Sequence, residues 1–421
     1  MQKYLELLKK RYIVPMKEDG AVYIGIELEF PIVNLSGEAT DEQVCKQLLF
    51  YLIQNTDLEV VKKDEEGYAI ELYHPVYDDH ILFEVSYTTI EFAFGKAKTI
   101  EEVEKRFEHY MIVIQEFLRQ HGHEIQGQGI HPHWDKNSNT PVQSPRYKML
   151  MDYLALVEHV DEQRLHRYAD YGAYICGSQV QLDVFKENYL RVINAFNKIE
   201  MVKAYLFANS TFSGENWETA IARDIFWEDS MHGFYHENVG VYPRDFLSEE
   251  DFLEYMSHSA LFTAVRDEKT VYFHPIQVKD YLCKKEIQAI DLTGQTCVIT
   301  PEKEDFSCHR AYHYQSLTTR GTVEFRSVCT QPLSRTFASA AFHVGLLTNL
   351  EELEQLLQQS FFFERYGRDY KVLRKQFSKP VLSDSEQKDI QKFSNQVLQV
   401  ARKGLQLREL QEERYLQVLM D

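Results

Sequence analysis

Val22-Tyr23-Ile24-Gly25-Ile26-Glu27-Leu28-Glu29-Phe30 alternates apolar and polar residues along its length. The strand period of two puts Val22, Ile24, Ile26, Leu28 and Phe30 on one face and Glu27 and Glu29 on the other. Two such acids stand roughly 6–7 Å apart, a spacing that suits neighbouring metal ions and equally an ordinary solvated strand face. Residues 179–184 repeat the alternation, with Val180, Leu182 and Val184 on the packed side. These half-buried strands do not alternate regularly with the helical stretches, which predicts an α+β fold: an antiparallel sheet with helices on one face.

The clearest helical pattern covers residues 99–121, where Val103, Phe107, Met111, Ile114 and Leu118 share a face, Thr99 is the N-cap and Gly122 the stop. Further helices are expected over 189–208 and 249–265, and from Ser334 onward almost throughout, over 337–357 and 384–419. The chain is read as a core over residues 1–333 and a helical C-terminal layer over 334–421 packed on the same domain. Irregular stretches are local, at 135–145 and 213–217, with no repeat and no interdomain linker.

Composition narrows the function. Of 421 residues, 44% are hydrophobic and 26% charged, a globular balance. With 46 Lys and Arg against 65 Asp and Glu, the net charge is −19, which disfavours nucleic acid and anionic membrane surfaces as partners. Six cysteines, Cys45, Cys176, Cys283, Cys297, Cys308 and Cys329, form no C-x-x-C pair, so neither a zinc knuckle nor a disulfide scaffold is expected. Without a signal core or a long apolar run, a soluble protein of the reducing cytoplasm is the expectation.

Two more acidic segments stand out. Leu82-Phe83-Glu84-Val85-Ser86-Tyr87-Thr88-Thr89-Ile90-Glu91-Phe92 carries two glutamates seven apart, an odd spacing that sends them to opposite faces of one regular strand. A hairpin or bulge near Ser86–Thr89 is needed to bring them together; otherwise one is buried and the other exposed. Arg320-Gly321-Thr322-Val323-Glu324-Phe325-Arg326-Ser327 puts Glu324 and Arg326 on one face, either as a structural ion pair or, in a phosphate site, as a cation holder beside a bidentate arginine. Two carboxylates about 5 Å apart repel by roughly 3 kcal/mol at an effective dielectric near 20. Gathering several therefore requires bound cations or protons, and all-oxygen ligation favours Mg²⁺ or Mn²⁺ over zinc. Neither a Walker sequence nor a dinucleotide fingerprint is present. His131-Pro132-His133 reads as hydrogen-bonded or surface histidines more readily than as a metal site.

In this order, the three acidic strands resemble the glutamate–cysteine ligase family in its plant-type branch. Gln128-Gly129-Ile130-His131-Pro132-His133-Trp134, Pro145-Arg146-Tyr147-Lys148-Met149, Ser178-Gln179-Val180-Gln181-Leu182-Asp183, Leu206-Phe207-Ala208-Asn209-Ser210-Thr211-Phe212 and Ala222-Arg223-Asp224-Ile225-Phe226-Trp227 extend the likeness to about Pro332. The resemblance implies a glutamine synthetase-like fold, in which a curved antiparallel sheet forms a cup with helices on its outer face. It also implies ATP-dependent amide formation through γ-glutamyl phosphate, from glutamate and an amine, cysteine first. Carried over residue by residue, it implies metal ligands at Glu27, Glu29, Glu84, Glu91, Glu324 and Gln181. Arg326 and Arg320 would then contact phosphoryl oxygens, and Arg223, Gln179 and Trp227 the substrate. Gln181 stands where many members place a histidine, although the plant-type branch also has an amide there. The stretch Glu228-Asp229-Ser230-Met231-His232 only partly matches its counterpart. Alternatives are a γ-glutamyl ligase for another amine, a ligase-like binding protein without catalysis, and a kinase of guanidino compounds.

Overall fold

The computed structural model describes residues 2–420; Met1 and Asp421, the outer ends of the two segments assigned above, lie outside the described residues. The alternating stretch forms the long strand Ile24–Asn34, with Ile24, Ile26, Leu28 and Phe30 buried. It lies inside an antiparallel sheet whose spatial order is Gln315–Leu317, Thr322–Phe325, Ser178–Asp183, Ile24–Asn34, Thr89–Ala97, Asp79–Phe83, Ala69–His74, Glu59–Lys63. His123–Ile125 pairs with the far end of the long strand.

The apolar face of this sheet is covered by helices, as the one-sided patterning requires. Phe30 stacks on Phe107 of the helix Ile100–Gln120 at 5.7 Å between ring centroids. At the other end, Phe325 meets Phe196 at 4.5 Å and His343 at 4.4 Å. Thr99 caps the helix as expected, its side chain accepting from the Glu102 amide at 3.1 Å, and Gly122 follows its end at φ 71°. The C-terminal helices Ala338–Thr348 and Asp384–Leu407 cross in backbone contact, since a Cβ on Gly404 would lie 1.9 Å from the Gly345 carbonyl oxygen.

Four helical expectations are corrected. Residues 189–208 form two helices, Tyr189–Asn197 and Glu200–Phe207, because buried Asn197 exchanges hydrogen bonds with the backbone of Tyr242 (2.8 and 2.9 Å). The 249–265 helix stops at Met256, and Ala260–Arg266 is a strand of a second, four-stranded sheet with Lys269–Gln277, Ile287–Asp291 and Thr296–Ile299. Ala260–Arg266 pairs with Lys269–Gln277 as a hairpin closed at Asp267 and Glu268, both left-handed at φ 48° and 63°, so a tight two-residue turn makes this stretch a strand. The 337–357 stretch breaks at Asn349, whose side chain donates to Glu352 at 2.8 Å and to the Val400 carbonyl at 3.3 Å. The last long helix ends at Leu407; Glu409 and Gln411 then turn left-handed before the short turns Glu412–Leu416 and Gln417–Met420.

Candidate active site

The polar face opposite the helices gathers the predicted acids through strand register. Glu29 pairs directly with Glu91, Glu27 with Gln179, and Gln181 with both Gly25 and Glu324. Directly paired residues share a face, so Glu91, Glu29, Glu27, Gln179, Gln181 and Glu324 form one row across four strands. Glu84 joins it through the expected turn. Asp79–Phe83 and Thr89–Ala97 form a hairpin, closed by hydrogen bonds from Glu84 N to Thr89 O (3.1 Å) and from Ser86 N to Glu84 O (2.7 Å), with Val85 left-handed at φ 60°.

Crowding leaves an electrostatic mark on the row. Burial first, then the charge of Glu324, raises the Glu27 carboxyl to about 7, with Arg326 opposing and Glu29 adding to the shift. Burial also raises Glu29 to about 7 and Glu84 adds to it, while Arg223 and the Gly177 amide pull back. Glu91 is lifted well above the usual carboxyl range by burial, then by the charges of Glu84 and Glu27 and by a hydrogen bond with Glu84. These carboxyls hold protons near neutral pH unless a cation takes the protons' place.

Around the row the amides and cations are each engaged. Glu29 accepts from Gly177 N at 2.6 Å and from Gln179 Nε2 at 3.0 Å. Behind Gly177 lies buried Arg223: a Cβ on Gly177 would sit 2.4 Å from its Nη2, so this close approach requires glycine. Arg223 Nη1 donates to the Val328 carbonyl at 3.0 Å, and its Nε is buried without an acceptor, as is Gln179 Oε1 without a donor. Arg326 bridges Glu324 at 2.8 Å and lies 5.6 Å from the ring centres of both Trp227 and Tyr312, a cation–π arrangement.

Gln181 departs from the ligand role implied by the resemblance. Its Nε2 donates to Glu27 at 2.7 Å and to Glu324 at 3.3 Å, while its Oε1 accepts from Arg320 at 2.6 Å. Between two carboxylates an amide turns its NH₂ group toward them, because its oxygen would be repelled there. Gln181 is therefore a bridge, and it holds the otherwise exposed Arg320 against the site. Among the described residues, no three Asp, Glu, His or Cys side chains converge on one point as a closed metal cage. What they form is an open row, and its donors still fit a hard divalent cation: all oxygen, crowded, with the unpartnered Gln179 Oε1 among them.

Three contributors escaped the sequence reading. Tyr147, at the start of the helix Pro145–Ala155, donates to Glu84 Oε2 at 3.1 Å. Burial opposes the charge on Arg146, but Tyr147, Glu84 and Glu91 raise its pKa. Both lie in the Pro145–Met149 motif, so that motif was the available signal. Tyr312 had none. His131, by contrast, donates its Nε2–H to Ile32 O (3.0 Å) beside the Thr40 hydroxyl (3.2 Å) and accepts at Nδ1 from the His133 amide (3.0 Å), and burial lowers it to about 4, as a structural histidine. A cavity of about 1140 Å³ lies on another side of the helix Ala222–Glu228, lined by Asp224, Glu228, Lys371, Arg374 and Trp217, and none of the row acids lines it.

A sheet face carrying oxygen donors beside two arginines is suited to divalent cations and phosphoryl oxygens, the equipment of a phosphate-handling enzyme class. The family model described as glutamate-cysteine ligase family 2 matches residues 23–421, and the chain belongs to this family. The glutamate–cysteine ligase, chloroplastic, of Solanum lycopersicum is 23% identical over 296 residues, 69% of this chain and 53% of that protein. Its counterpart in Medicago truncatula is 22% identical over 301 residues, 70% of this chain and 55% of the relative. The chain thus spans about half the length of the curated relatives it matches. Among solved structures, the glutamate–cysteine ligase of Francisella tularensis in complex with AMP aligns at TM-score 0.30 and 9% identity, covering 96% of this chain and 98% of that one. The complex of the prokaryotic ubiquitin-like protein Pup with its ligase PafA aligns at TM-score 0.36 and 9% identity, covering 95% and 63%. No helix among the described residues is long and apolar enough to cross a membrane.

Proposed function

We propose that this protein is an ATP-dependent carboxylate–amine ligase that joins the γ-carboxylate of glutamate to an amine, with cysteine as the amine. The observation that carries this reading is the gathering of Glu27, Glu29, Glu84, Glu91 and Glu324 on one sheet face beside Arg320 and Arg326. Mg²⁺ or Mn²⁺, held by oxygens of those glutamates, would neutralise charge on the ATP phosphates. The γ-phosphoryl group moves to the glutamate γ-carboxylate with ADP leaving; the amine then attacks the acyl carbon, loses a proton and expels phosphate. Arg326 and Arg320 stabilise the developing charge on the transferred group, where positioned cations contribute most. Arg223, with Nε free of any acceptor, and Gln179, with Oε1 free of any donor, orient the acyl substrate. Trp227 and Tyr312 flank Arg326 and limit its swing. A cytoplasmic location accompanies this reading, since all six cysteines are free thiols.

The test is release of ADP and phosphate by the purified protein with ATP, Mg²⁺ and glutamate, compared across cysteine and a panel of other amines. Cysteine-dependent release with formation of γ-glutamylcysteine is expected. Release that prefers another amine moves the assignment to that product, and no release with any amine overturns the ligase reading.

A further inference from the structure

The C-terminal layer reaches the back of the candidate site through several side chains, among them Lys371, which pairs with Glu228 at 3.0 Å, and Arg374, which makes the most bonds there. Arg374, on the helix Tyr370–Phe377, is 2% exposed. Its Nε and Nη2 donate to the two oxygens of Asp224 at 2.7 and 3.0 Å. Nη1 donates to the Glu200 side chain at 2.7 Å and to the Glu200 carbonyl at 2.9 Å, and Nη2 also donates to the Ser327 carbonyl at 3.1 Å. A guanidinium has five N–H groups, and here five bonds use all of them. Arg374 therefore has no donor left for a substrate.

The acceptors lie beside the residues assigned to acyl-substrate binding and to phosphoryl chemistry. Asp224 follows Arg223, and Ser327 follows Arg326. The guanidinium rests 4.5 Å from the ring centre of Tyr314, whose carbonyl accepts from Arg326 N at 2.9 Å and whose hydroxyl donates to Glu228, the neighbour of Trp227, at 2.8 Å. Charge is balanced locally: fully buried Lys203 donates to Glu200 at 2.6 Å, so two cations face two anions.

We infer that Arg374 is a positioning residue, a buried clamp through which the C-terminal helices hold Arg223, Arg326 and Trp227 in register with the carboxylate row. The catalytic part of this inference rests on the ligase reading. A single forked guanidinium ties two helices to the end of the Thr322–Phe325 strand, and an ammonium, with three donors and no planar fork, cannot reproduce it.

Removing Arg374 alone strands two buried carboxylates and endangers folding. The double variant Arg374→Met/Asp224→Asn instead removes one charge of each sign and leaves Glu200 paired with Lys203. Assayed well below its unfolding midpoint, it is expected to lose about 10- to 100-fold in kcat with KM for ATP within about threefold, the pattern of misplaced transition-state contacts. Arg374→Lys, which keeps the charge balance, is expected to fold and to fail to restore kcat. Wild-type kcat in either folded variant overturns the inference, and if the double variant does not fold, Arg374→Lys decides. A second readout does not need turnover. In a Trp134→Phe/Trp217→Phe background, Trp227 is the one remaining tryptophan of three, and its emission should change when either clamp alteration is added. If the wild-type protein consumes no ATP with any amine, the ligase reading fails by itself; unchanged Trp227 emission then sinks the clamp and altered emission sustains it.

Discussion

Glu29 and Glu91 face each other directly across two antiparallel strands, a like-charged pair that sheets ordinarily avoid. Gly177 N and Gln179 Nε2 donate to Glu29, whereas burial and neighbouring charge hold Glu91 well above the usual carboxyl range. The pair is thus tolerated by neutralising one member, and a divalent cation would replace that proton.

Glu91→Gln should therefore separate stability from function. The amide removes the charge conflict at nearly constant volume, so the metal-free variant should unfold about 1–3 kcal/mol later than wild type at pH 8, within the range of pairwise repulsion at intermediate dielectric. Turnover should fall at least about 100-fold through weakened cation binding. Denaturant unfolding and ADP release on the same preparations check both halves, and a variant that is less stable and fully active contradicts the arrangement.

The pH dependence has a definite sign. Glu27 and Glu29 carry folded-state values near 7, raised above the unfolded range near 4.5, so the folded chain binds more protons between those values. Stability falls wherever the folded state is the more protonated one as pH rises. The contribution is complete below about pH 4.5 and lost through about pH 7. Thermal midpoints of the metal-free protein should drop from pH 6 to pH 8, and added Mg²⁺ with ADP should recover more at pH 8 than at pH 6. A midpoint that climbs over that interval without metal contradicts the assignment of protons to these carboxyls.

How far these features were legible in the sequence depended on the range of the interaction. Glu27 and Glu29 were readable because period two acts within one strand, and Thr99 because a cap acts within one turn. The odd spacing of Glu84 and Glu91 announced a hairpin, although not that buried Val85 would take the left-handed position at φ 60°. Contacts made by distant segments left no local trace: the break after Asn197, and Tyr312 beside Arg326. Gln181 is readable as a site residue, but the direction of its amide is set by Glu27 from one distant segment and by Arg320 and Glu324 from another.

That bridging amide makes its own prediction. Gln181→Glu places a third carboxylate between Glu27 and Glu324 while strengthening the hold on Arg320. Each new close pair costs about 3 kcal/mol at an effective dielectric near 20, more than one arginine on the exposed side offsets. The metal-free variant should unfold several degrees below wild type, with Mg²⁺ closing most of the gap. Scanning calorimetry with and without Mg²⁺ measures this, and a variant as stable as wild type without metal argues against Gln181 as a bridge.

Arg326→Lys tests whether the cation beside Glu324 acts by charge or by shape. Lysine keeps the charge and the 2.8 Å ion pair is within its reach, but it loses the flat surface that meets Trp227 and Tyr312 and the second parallel donor. If the residue stabilises a transferring phosphoryl group bidentately, kcat should fall about 100- to 1000-fold, the loss typical of removing one aligned transition-state donor. KM for ATP should move little, because contacts made mainly in the transition state weigh on kcat. A large rise in KM with kcat preserved would instead assign Arg326 to ground-state nucleotide binding, and wild-type values in both would remove it from the site.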